Sequence, residues 1–186
     1  MIKDAARWRS ELIEVANFLQ SKKEQIRWSD ITFFRTEQHI MTAFYWIRKI
    51  LESKKASQKI LNGSLPLIQF KRGLISNTEI TAPILQLNFD LENPETKNRS
   101  ISFVCNQIVH SYIFSIAVGY NTGLQGIYFA SDKERNNLLF FIPVDSLISI
   151  YRMIGTDPKA EFSPWIEERL THHRVQTAFP QSPAKP

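Results

Sequence analysis

The sequence predicts a single α+β domain, mainly helical with a small antiparallel sheet. Two observations carry that prediction. Two stretches near the N-terminus place apolar residues at helical spacing, and two later apolar runs flank a short polar linker as the arms of a hairpin would. A third observation, 43% hydrophobic and 12% aromatic content across 186 residues with only six glycines, supplies enough apolar surface for one well-packed core. Residues 1–175 read as that domain and residues 176–186, rich in proline, as a flexible C-terminal tail.

The first helix is expected over residues 4–25. Trp8, Leu12, Val15, Ala16 and Leu19 fall on one face, with Asp4 at the start and Lys22 and Lys23 suited to the C-terminal end of the helix dipole. A second helix should begin after WSD, capped by Ser29 or Asp30, and carry Phe33, Ile40, Phe44, Ile47 and Leu51 on one stripe. Gly63, Pro66, Gly73 and Pro83 then break the pattern, leaving an irregular connection with a short strand at Leu67–Phe70. ILQLNFDLE alternates apolar and polar residues, which predicts a strand over residues 84–92. A third helix is expected over residues 95–115, although YIFSIAVGY at its end also has the composition of a strand. LQGIYFA and NLLFFIPV, joined by SDKERNN, predict an antiparallel hairpin. Pro143 then starts a helix that Gly155 stops, and Ser163 and Pro164 open a last short helix through His173.

Composition narrows the function. One cysteine permits no internal disulfide, no Cys/His spacing fits a zinc site, and no cofactor motif is present. The charged N-terminus lacks the apolar run of a signal peptide, and nowhere do 18 apolar residues follow one another, so a cytoplasmic protein that does not enter the membrane is expected. A net charge of +5 suits a polyanion such as RNA, but the basic residues are scattered among acids.

The chemistry-bearing residues are Asn106 and His110, one helical turn apart within SFVCNQIVHSYIF. With apolar neighbours at Phe103, Ile113 and Phe114, they read as a hydrogen-bonded pair inside the core. Losing either partner would then cost about 1 to 3 kcal/mol. The sharper alternative uses the imidazole for proton transfer, with Asn106 orienting a substrate oxygen and the RNA's own 2′-hydroxyl as nucleophile. Arg48 is expected to pair with Glu52 four residues on, and is also the best-placed arginine to supply positive charge from another helix. Arg99 reads as a solvated position three turns before His110, Arg35 and His39 as an exposed helical pair, and Lys54, Lys55 and Lys59 as helix-ending cations. His172 and His173 read as surface residues.

CNQIVH, Cys105 to His110, resembles the helical signature of the HEPN superfamily, in which an arginine, often followed by Asn or another polar residue, precedes a histidine by five positions. FYWIRKILESKKAS is similar to helices of uncharacterised bacterial proteins that carry an Asn-Gln-x-x-His segment. Many HEPN proteins are metal-independent ribonucleases of toxin, abortive-infection and CRISPR-associated systems, with Arg and His of two subunits meeting at a dimer interface. The resemblance therefore implies catalytic or binding roles for His110 and Asn106, and a homodimer or protein partner. Cys105 stands where the signature arginine belongs, and a thiol cannot neutralise a phosphate as a guanidinium does. The expectation is accordingly a HEPN-like accessory or interaction protein of a bacterial defence, toxin or mobile-element system. A metal-independent endoribonuclease using His110, Asn106 and Arg48 is the first alternative, and a nucleic-acid-binding module the second.

Overall fold

A computed structural model describes residues 5–73, 85–119 and 122–158. The long N-terminal helices form where their apolar spacing places them. Helix α1 (Ala5–Lys22) buries Leu12, Val15, Ala16 and Leu19, and α2 (Asp30–Glu52) buries Ile40, Phe44, Ile47 and Leu51. Ser29 caps α2, its side chain accepting from the Thr32 amide. At the other end Lys54 takes a left-handed φ of 55°, and the Lys54 and Lys55 amides donate back to the carbonyls of Leu51 and Ile50. This is the closing turn in which glycine is the usual residue.

A short helix α3 (Gln58–Leu61) leads into β1 (Ser64–Lys71), which extends the expected strand on both sides. The remaining elements are α4 (Leu85–Asn88), β2 (Glu95–Ser100), α5 (Ile101–Val109), β3 (Ser111–Gly119), β4 (Gly123–Ser131), β5 (Leu138–Pro143) and α6 (Val144–Gly155). The five strands form one antiparallel sheet in the order β2-β1-β5-β4-β3. Half of the described residues are helical and 29% lie in strands, so the α+β class holds while the sheet is larger than the small one expected.

Two sequence expectations are corrected. Residues 84–92 do not form a strand: Leu85–Asn88 is a helical turn, followed by one bridge between Phe89 and Arg72. Leu85 and Phe89, both buried, are four apart, a spacing that puts them on one face of a helix as readily as of a strand. Residues 95–115 are not one helix but β2, α5 and β3. Here the strand composition of the SYIFSIAVG segment prevails, because pairing with β4 satisfies its backbone. The hairpin of β4 and β5 and the helix after Pro143 form as expected. The helix expected after Ser163, His172 and His173, Asp4, and the tail lie outside the described residues.

The main core lies between the helices and one sheet face. Leu65, Leu67, Leu124, Ile127, Phe129, Phe140 and Ile142 meet residues of α1, α2, α5 and α6 there. On the opposite face Phe70, Ile113, Ala130 and Leu139 pack with Leu85 and Phe89. Consecutive residues of β5 therefore enter different clusters, which explains why NLLFFIPV is apolar at every position instead of alternating. Helix α5 carries the chain from one edge strand, β2, to the other, β3.

Candidate functional site

The candidate site forms where α5 ends beside the last turns of α2. Ser100 caps α5, accepting from the Phe103 amide, and His110 closes it with its own amide donating to the Asn106 carbonyl at 3.1 Å. The His110 carbonyl accepts from the Asp132 amide at 3.3 Å, so the backbone is held on both sides of the imidazole.

The face of α5 that enters the core is Ile101, Val104, Cys105 and Ile108, at the i, i+3, i+4, i+7 spacing of a helix stripe. Asn106 and His110 share a face, as their spacing requires, but it is the opposite one, and both are exposed. The expected buried Asn/His pair is thus corrected. The apolar neighbours invoked beyond His110, Ile113 and Phe114, belong to a strand and cannot continue a helical face. The buried amide of this segment is Gln107, whose Oε1 accepts from the Ser131 amide at 3.2 Å.

Arg48 reaches this exposed face from α2. Its Nη1 lies 2.9 Å from His110 Nε2, and its Nε donates to Glu52 Oε1 at 2.7 Å. A guanidinium has no acceptor, so Nε2 must accept and the neutral ring carries its proton on Nδ1. Lys49 Nζ donates to the second Glu52 oxygen at 2.8 Å. Hydrogen bonds from Lys49 and then Arg48 hold the Glu52 carboxyl below the usual carboxylate range. The expected Arg48–Glu52 pair and the approach of Arg48 to His110 are therefore both present, made by different nitrogens of one fork.

Cys105 is fully buried, and burial pushes its thiol up to about 12, with the nearby Arg48 charge opposing the shift. At neutral pH it is neither a thiolate nucleophile nor an accessible ligand. The guanidinium beside His110 thus comes from α2, while the position five residues before the histidine points into the core.

The other candidates separate from the site. Arg99 lies on β2, not on a helix leading to His110; it donates to Gln69 Oε1 at 3.1 Å and its guanidinium stands 5.0 Å over the Phe103 ring. His39 is not half of an exposed pair with Arg35: its ring packs 4.3 Å from that of Phe18, and burial, then the Arg35 charge, lowers its pKa. Lys54 and Lys59 are exposed after α2, and Lys55 is half-buried. Among the described residues no group of His, Cys, Asp and Glu could hold a metal ion, and no helix is long and apolar enough to cross a membrane.

Sequence reading passed over Arg9. It is 3% exposed, donates through Nη1 to the Asp157 carbonyl at 2.6 Å and through Nη2 to the Lys55 carbonyl, and stands 3.5 Å from the Asp157 carboxylate. Asp157 also accepts from the Ser57 amide at 2.7 Å. A signal was present: Arg9 falls between Ala5 and Leu12 on the stripe Ala5, Arg9, Leu12, Ala16 and Leu19, all of it buried.

No protein-family model, curated protein or solved structure matches this chain.

Proposed function

We propose that this chain is a HEPN-like accessory protein that binds RNA through Arg48 and His110 without cutting it. The observation that carries the reading is the 2.9 Å contact between the Arg48 guanidinium and His110 Nε2 on the solvent side of α2 and α5. An arginine held on a surface beside an imidazole whose Nδ1–H is left to donate suits phosphate oxygens, and Arg48 offers the guanidinium that Cys105 cannot. Nε2 is engaged as an acceptor, which supports binding over proton transfer at that nitrogen. Asn106, exposed one turn earlier, offers an amide that can donate to a ribose or a second phosphate oxygen. A role in bacterial defence, toxin or mobile-element systems follows from the resemblance of CNQIVH to the HEPN signature.

Fluorescence anisotropy with a short single-stranded RNA tests the reading. The expected result is binding that weakens as salt is added and falls about tenfold in Arg48→Ala and in His110→Ala. RNA bound equally by both variants and the unaltered chain, or not bound at all, overturns it.

The exposure of both Asn106 and His110 beside Arg48 also favours a second reading, a metal-independent ribonuclease. RNA cleavage in the presence of a chelator, lost in a folded His110→Ala variant, would establish that activity in place of simple binding.

A further inference from the structure

A cleft of about 330 Å³ runs along α6, between that helix and the start of β1 and α5. Leu65, Ile101 and Ile150 form its floor, and Pro66 and Met153 stand at its walls. The floor residues are buried from the side of the core, whereas Pro66 and Met153 are exposed, so the cleft is apolar and open to solvent. Its charged side chain is Asp145, at the N-terminal end of α6.

The described chain ends beside this cleft. Asp145, Ser149 and Met153 line it at steps of four along α6, and the next such step is Asp157. Asp157 is fixed in place: its carbonyl accepts from Arg9 Nη1 at 2.6 Å and its carboxylate from the Ser57 amide at 2.7 Å. Ser57 opens α3, which leads to Ser64 and Leu65 on the other wall, so the exit is tied to both sides of the cleft. KAEFSPWIEERL, residues 159–170, follows, with Phe162, Trp165, Ile166 and Leu170 set among charges. From Met153 to Asp145 the cleft extends about 12 Å along the helix. The four residues from Pro158 to Phe162 span up to about 14 Å, enough to bring the first large apolar side chain to any point along it.

We infer that the cleft is the docking site of this chain's own residues 162–170, which run back along α6 with Trp165 and Ile166 over Leu65, Ile101 and Ile150. That direction brings Arg169 and the basic residues after it, His172 to Arg174, to the Asp145 end. Asp145 is 72% exposed and its Oδ1 accepts from Lys23 Nζ at 2.6 Å, an exposed pair that can admit a second cation. A short tether holds the segment at high effective concentration, so a modest apolar contact is enough. A nucleic acid is a poor occupant, because Asp145 repels phosphate. No residue of α2 lines the cleft, and Arg48 and His110 stay open to a ligand.

Alkylation of the full chain carrying Ser149→Cys, followed by mass spectrometry, tests the inference. Ser149 lines the cleft at an exposed position, and Lys133→Cys, exposed on the hairpin loop, supplies the rate of an uncovered thiol. Cys105 is buried, so its labelling reports unfolding. The Ser149→Cys thiol should react about tenfold more slowly than the Lys133→Cys thiol at every protein concentration. Adding Trp165→Asp and Ile166→Asp should abolish the difference while Cys105 stays unlabelled; Trp165→Ala takes their place if Cys105 is labelled. Equal rates in the chain without those changes overturn the inference. So does slowing that survives the changes at Trp165 and Ile166, or slowing that fades on dilution, which would give the cleft to a second molecule.

Discussion

Arg9 and Arg48 are the same residue put to opposite uses. Arg9 is enclosed by α1, the turn after α2 and the end of α6, its fork divided between two carbonyls and the Asp157 carboxylate. Burial lowers its pKa, with Asp157 opposing the shift. Arg48 keeps 28% of its side chain exposed and divides its fork between an exposed carboxylate and an exposed imidazole. A buried charge needs paired partners for the fold to tolerate it, which Arg9 finds through its two terminal nitrogens although its Nε has none among the described residues, whereas a half-exposed one can exchange partners for a ligand at little cost. The first arginine holds three segments together; the second is available.

The severest test places a third arginine in the core with no Asp157 to meet it. Cys105→Arg puts an arginine at a fully buried position five residues before His110, and should cost several kcal/mol, enough to unfold much of the protein in a thermal melt. A Cys105→Arg variant that folds with unchanged stability would show that α5 can turn this position to solvent.

Arg9→Ala comes next. It strands the buried Asp157 carboxylate, and about 3 to 5 kcal/mol should be lost in urea denaturation. A loss below about 1 kcal/mol would remove the distinction between the two arginines.

Cys105 sharpens the comparison through pH. Its thiol keeps its proton in the fold up to about 12, while the unfolded chain releases it near the ordinary value of 9.0. The folded state then binds more protons, so this group's contribution to stability is complete below pH 9.0 and declines as pH rises from there toward about 12. Tyr151, buried and raised in the same direction, adds to the decline. Alkylation at neutral pH should accordingly need unfolding, and rapid labelling of the native protein would contradict the burial of Cys105.

The smallest effects belong to the exposed site. Arg48→Ala and His110→Ala should each change stability by less than about 1 kcal/mol while lowering RNA affinity. A loss of about 1 to 3 kcal/mol on His110→Ala would instead return the histidine to the structural role that its apolar neighbours in sequence suggest.

Helices α1 and α2 and the β4–β5 hairpin were legible because each carries its own period and its own punctuation, such as Ser29 before α2 and Pro143 before α6. The segments misread were those whose local pattern permits two answers. Leu85 and Phe89 share a face in a helix and in a strand, and SYIFSIAVG is apolar enough for either. At the candidate site the sequence placed Asn106 and His110 on one face and put Arg48 within a helical turn of Glu52. It could not show which way that face points, since Ile101, Val104, Cys105 and Ile108 claim the core only once α5 is known to end at His110.

What the sequence determined by itself is therefore local: helical stripes, caps, the hairpin, and the identity of the groups able to carry chemistry. The tertiary structure decided which groups meet. Arg48 and His110 are 62 residues apart, and Arg9 and Asp157 are 148. Periodicity extends over a few turns of one element, whereas contacts between elements depend on how the sheet orders its strands and which helix faces the core can enclose. Those choices turned Cys105 inward, His110 outward, and two chemically identical arginines to different ends.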